Sequence, residues 1–120
     1  MREVSPRLSV TKEGNVTVVV LTDRKILDEV NIMQIGEQLS ALAVGQGTPH
    51  MVLDFANVAH MSSSALGVLI TLNKRIRERK GDLRLCNIQP AIYEIFVITR
   101  LNEIFQICSS RQEAVDSLAS

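Results

Sequence analysis

The sequence predicts an α/β domain with a mixed, mostly parallel sheet, an N-terminal hairpin and about four helices. Three observations predict it. Two short Val/Thr-bearing segments flank a turn at the start of the chain. The run Met51–Phe55 is almost continuously apolar, as in a strand covered on both faces. Segments with helical spacing then alternate with short apolar segments to the end, the pattern of strand–helix–strand units.

The elements follow in order. Leu8 to Thr11 is a short strand, and Glu13-Gly14-Asn15 is a turn. Val16 to Leu21 is rich in Val and Thr and completes a hairpin. Asp23 to Asp28 is a charged connection. From Asp28 onward, Ile32, Ile35, Leu39, Leu42 and Ala43 recur at spacings of three and four, so a helix begins there. Gly45, Gly47 and Pro49 end it before the strand Met51–Phe55. Ser62 to Ser64 open a second helix whose expected inward stripe is Leu66, Leu69, Ile70, Asn73 and Ile76. That helix closes in a basic run, with Gly81 as its C-cap. Leu83, Leu85 and Cys86 belong to the next strand. Pro90 opens a third helix with Ile92, Ile95, Phe96 and Ile98 facing inward. Ile104 to Cys108 is a last strand, and Ser110 with Glu113 fits a capping box at the start of a fourth helix.

A length of 120 residues with 46% hydrophobic residues supports one core, so the expectation is a single domain over residues 1–120. The 13 basic and 13 acidic residues cancel, which argues against a nucleic-acid-binding domain. Aromatics are 3% with no Trp, so a base-stacking platform is absent. Cys86 and Cys108 form no CxxC pattern and are expected to be buried, reduced thiols. The N-terminus lacks the apolar stretch of a secretory leader, and no window has the ~18 consecutive apolar residues of a membrane span. A cytoplasmic protein is the resulting expectation.

Chemistry concentrates in residues 54–67, Asp-Phe-Ala-Asn-Val-Ala-His-Met-Ser-Ser-Ser-Ala-Leu-Gly. In a parallel sheet, functional loops gather beyond the carboxyl ends of the strands, and this loop is placed there. Three serines stand at a helix N-terminus, where free N–H groups and the dipole favour an anion, including a covalent phosphate. Serine is equally a preferred N-cap, so simple capping explains the same residues. Asp54 fits two roles, a strand-end acid bonding to loop amides or an acid beside a phosphoacceptor. Val68 and Leu72 fall off the expected stripe; such residues are more often second-layer core than interface, but these two are the first candidates for a hydrophobic contact beside Ser63. Lys74, Arg75, Arg77, Arg79 and Lys80 form a solvated helix end or, alternatively, a docking patch for an acidic partner.

Other chemistries find little support. His50 and His60 have no partner at metal-ligand spacing, so no metal is expected. HMSSSALG lacks the first glycine of a nucleophile elbow. No glycine-rich nucleotide loop is present, so neither a bound cofactor nor an enzymatic activity is expected.

The stretch LDFANVAHMSSSALGVLI resembles the signature of the STAS domain family, specifically its anti-sigma factor antagonists. The downstream RKGDLRLCNIQPAIYEIFVITRLNEIFQICSSRQEAV is similar as well. The resemblance implies a STAS fold and a binding module. Its partners would be an anti-sigma factor that is also a serine kinase, and a serine phosphatase that reverses the modification. It implies Ser63 as phosphoacceptor, with Ser62 and Ser64 as alternatives. Together with the reading of the residues, it leads to expected partner contact at Asp28, Asp54, Ser62, Ser64, Val68 and Leu72. Ser62 stands where the family carries an acid, Ala65 stands where glycine is usual, and Gly67 is retained. In the loop from Thr22 to Asp28 only Asp28 matches well. The family also supplies two other roles: a subunit of a signalling scaffold or homo-oligomer, and an accessory subunit of a lipid or ion transporter.

Overall fold

The computed structural model describes residues 8–45 and 47–119. Residues 1–7, on which the expectation about a leader falls, lie outside them. Strand β1 (Leu8–Glu13) and strand β2 (Val16–Leu21) form an antiparallel hairpin. Gly14 takes φ +64° at its turn, a conformation that glycine adopts without strain. Next come β3 (Lys25–Ile26), α1 (Glu29–Val44), β4 (His50–Asp54), β5 (His60–Met61) and α2 (Ser63–Glu78). After them come β6 (Asp82–Cys86), α3 (Pro90–Ile98), a 3-10 turn (Leu101–Glu103), β7 (Gln106–Cys108) and α4 (Arg111–Ala119).

The main sheet has the order β1-β2-β4-β6-β7, with every pair after the hairpin parallel. Each crossover moves one strand in the same direction. Crossovers of one hand therefore place α1, α2 and α3 on one face. That face holds the larger core, in which Leu39, Leu53, Leu72, Ile76, Leu85, Ile92 and Phe96 are almost wholly buried. After the last strand no crossover is needed, and α4 covers the other face, packing Ala114 and Val115 on Val16, Val18, Val52 and Cys86. The alternating burial of β6, with Leu83 and Leu85 toward one core and Cys86 toward the other, follows from the period of two along a strand. Half of the expected capping box forms: Glu113 N donates to Ser110 Oγ at 3.1 Å, while the Glu113 carboxylate accepts from Ser109 N, one residue before the cap, at 3.3 Å.

Several expectations are corrected. Leu72 is 1% exposed and belongs to the core, whereas Ile70 is 42% exposed. At about 100° per residue, Leu72 lies about 60° from Leu69 around the helix, inside the buried stripe, and Ile70 lies about 100° away at its edge. Leu72 is therefore no candidate for a surface contact. Ile98, at the last turn of α3, is 75% exposed rather than inward-facing, and Ile95 is only partly buried. Ile104 precedes the last strand and is also exposed, because the 3-10 turn intervenes. Cys86 is buried but Cys108 is only partly so; both are free thiols, in register on adjacent strands.

Gly81 is not the left-handed cap of α2. Lys80 takes that conformation, with φ 62°, while Gly81 N donates to Ile76 O at 2.9 Å. Gly81 is small for another reason. A Cβ there would lie 2.1 Å from the Pro49 carbonyl oxygen.

Candidate functional site

The site lies beyond the carboxyl ends of β2, β4 and β6. Strand β4 ends at Asp54, which is 6% exposed. Its Oδ1 accepts from Ala56 N at 2.9 Å and from Asn87 Nδ2 at 3.1 Å. Asp54 thus turns the chain after β4 and ties it to the end of β6. The strand-end role is the one realised, and the buried carboxylate is spent on the loop. Gln89 Nε2 donates to Ala56 O at 3.1 Å, adding a second tie from the β6 side. The buried side chains of Phe55 and Val58 anchor the loop from below.

Two short strands unread in the sequence join this loop to the one after β2. Lys25 and Ile26 pair in parallel with His60 and Met61. Ala59 N and His60 N both donate to Arg24 O, at 2.8 and 3.1 Å, and Ser62 N donates to Ile26 O at 3.1 Å. Side-chain periodicity cannot reveal two-residue strands, because one alternation is no pattern.

The three serines that follow have three different environments. Ser62 is the N-cap of α2, extended at φ −87°, ψ 166°, and its Oγ accepts from Ala65 N at 3.4 Å. Ser64 Oγ donates to Glu29 Oε1 at 2.9 Å, which joins the first turns of α2 and α1. Ser63 is the first helical residue and is exposed. Among the described residues its hydroxyl has no hydrogen-bond partner. Capping therefore accounts for one serine of three.

Acid is present at this end, though not at position 62. Asp28 caps α1, its Oδ1 accepting from Val30 N at 2.9 Å and Asn31 N at 3.2 Å. Glu29 follows it and reaches across to Ser64. Along the same side, Leu27, Val30 and Met33 are 50%, 62% and 65% exposed. They were not singled out from the sequence. Their signal is rotational: Val30 and Met33 lie about 160° and 100° around the helix from Ile32, off the buried stripe of Ile32, Ile35 and Leu39. Val68 lies partly buried in the floor of an open groove between α1 and α2, walled by Met33 and Gly36 on one side and Ser64, Gly67 and Thr71 on the other. A Cβ at Gly36 would stand 3.2 Å from Val68, so the helices approach closely there.

His60 is on β5 and His50 at the far end of β4. Among the described residues no three His, Cys, Asp or Glu side chains are grouped to hold a metal ion. Nor is any helix among them long and apolar enough to cross a membrane.

The sheet advances one parallel strand at a time after an edge hairpin, with a serine-capped helix beyond its central strand. The STAS domain model matches residues 8–114, and the chain belongs to that family. Its relatives carry the antagonist designation. It is 32% identical over 89 residues to a Bordetella bronchiseptica protein provisionally named anti-sigma factor antagonist BtrV, covering 74% of this chain and 76% of that one. A solved anti-sigma-factor antagonist (STAS) domain protein from Planctomyces limnophilus superposes with a TM-score of 0.83 at 29% identity, covering 93% and 97% of the two chains. The Bacillus cell fate determinant SpoIIAA in its phosphorylated form gives a TM-score of 0.69 at 20% identity, over 92% of this chain and 97% of that one, a likeness of fold.

Proposed function

We propose that this domain is an anti-sigma factor antagonist that works by partner switching. In its unphosphorylated form it binds a cognate anti-sigma factor through the face around Ser63, so that the sigma factor is released. The anti-sigma factor, acting as a serine kinase, transfers the γ-phosphoryl group of ATP to Ser63 Oγ: the Oγ–P bond forms as the bond between the γ-phosphorus and the β–γ bridging oxygen breaks, ADP leaves, and the hydroxyl proton is lost. A serine phosphatase removes the phosphate and restores binding.

The observation that carries this reading is the uncommitted, exposed hydroxyl of Ser63 between two committed ones. Three further features support it. The first N–H groups of α2 can receive phosphate oxygens without refolding. Leu27, Val30 and Met33 offer apolar area beside the serine. A phosphate adds about two negative charges next to Glu29, and desolvating them in an interface without a cationic partner is costly. Asp28 and Glu29, approaching from α1, supply the acidity that Ser62 does not.

Peptide mass spectrometry of the protein isolated from its own cells tests this, with Ser63→Ala in parallel. One phosphate on Ser63, absent from the variant, is expected. Protein unmodified in every growth condition, or modified equally in the variant, would overturn the reading.

A further inference from the structure

The C-terminal half of α2 carries a second concave surface, formed with the connection between α3 and β7. It is lined by Ile70, Asn73, Lys74, Arg77, Glu78 and Ile104. Asn73 is ten residues along α2 from Ser63, about 15 Å along the helix axis. Ile70 and Ile104 are exposed across from one another.

Asn73 distinguishes this surface from an ordinary solvated helix end. Its side chain is 8% exposed, yet among the described residues its amide has no hydrogen-bond partner. Its polar atoms are not cut off from solvent, so water meets them at the surface of the concavity. The amide opens into the concavity, where it offers one acceptor and two donors.

We propose that this concavity is a second docking site, for an acidic peptide segment of a partner protein. An apolar side chain of the segment sits between Ile70 and Ile104. Flanking carboxylates reach Lys74 and Arg77, and the segment's backbone pairs with the Asn73 amide. A peptide backbone presents both C=O and N–H groups, which suits an amide. The site is spatially separate from Ser63, so its occupant binds whatever the state of that serine.

The test is an NMR titration of the full isotope-labelled chain with a short, end-blocked peptide of alternating glutamate and leucine. A lysine–leucine peptide and phosphatidylglycerol vesicles serve as comparisons. The expected result is saturable shifts of the Asn73 side-chain amide and of the backbone amides of Ile70, Lys74 and Ile104, weakening with salt. The Lys74→Glu/Arg77→Glu double variant, altered only at exposed positions, should bind about tenfold more weakly. Asn73→Leu should lose the response while its Tm stays equal or rises. Shifts centred on the α1–α2 groove, an equal response to the lysine peptide, or a response to vesicles alone would overturn the proposal. So would a lowered Tm for Asn73→Leu, because it would show that the amide serves the fold.

Discussion

Replacing Ser62, Ser63 and Ser64 by alanine one at a time should separate stability from signalling within three adjacent residues. Ser62 caps α2, and loss of a serine cap costs about 0.5–2 kcal/mol. Its bond to Ala65 N is long, at 3.4 Å, so the lower half of that range applies, about 0.5–1 kcal/mol. For a domain of this size, that lowers Tm by about 2–5 °C. Ser64 loses an exposed hydrogen bond to Glu29 but gains the higher helix propensity of alanine, so the net change should stay within about 0.5 kcal/mol. Ser63 loses no hydrogen bond, and its replacement should also stay within about 0.5 kcal/mol. Scanning calorimetry of the three variants measures the stabilities, and mass spectrometry of the same proteins measures phosphate. The expected outcome is that the one stability loss falls on Ser62→Ala and the one phosphate loss on Ser63→Ala. If Ser63→Ala lowered Tm as much as Ser62→Ala, the hydroxyl would be structural and the division among the serines would be wrong.

Two other outcomes concern the scaffold. Gly81→Ala should cost about 2–3 kcal/mol in urea unfolding, since its Cβ would meet the rigid Pro49 carbonyl at 2.1 Å, whereas Lys80→Gly should stabilise by about 0.5–1 kcal/mol by relieving a left-handed lysine. Equal effects of the two would show that the turn, not the contact, decides. The Cys86 thiol is pushed up to about 12, first by burial and then by the nearby Asp54 carboxylate. It stays protonated in the fold while the unfolded chain ionises above about pH 9, so its contribution is present below pH 9 and is lost as pH rises toward 12. The slope is up to about 1.4 kcal/mol per pH unit. Urea midpoints at pH 8 and 10.5 should therefore fall more steeply for the natural chain than for Cys86→Val; parallel slopes would refute the assignment.

The helices and main strands were legible because each is long enough to show a period. Val16–Leu21 has the bounds the β propensity of its residues suggested, and Asp28 and Ser62 sit where capping chemistry puts them. The errors cluster where rotation or contact, not spacing, decides. Leu72 and Ile70 exchange places because the expected stripe, which takes in Leu66 and Ile70, is centred about 40° around the helix from the true seam through Leu69. Gly81 was assigned to a backbone need when the cause is a neighbour 32 positions away in the chain, Pro49. At the site, the loop and its serines were visible from composition, but the Ser64–Glu29 bond and the β3–β5 pairing depend on two loops meeting in space. No local pattern encodes that meeting. The unpartnered state of Ser63 follows from it.

The pairing of Lys25–Ile26 with His60–Met61 is hydrogen-bonded through main-chain groups, over the buried side chain of Ile26. Main-chain bonds are indifferent to which side chains ride on them. The exposed side chains at Arg24, Lys25 and Leu27 can therefore be exchanged without moving Ser63. In the proposed switch, recognition and the chemical event are separable in this way: one loop would carry the address and its neighbour the switch, so that several such domains in one cell could differ in address while each kept the same serine in the same place.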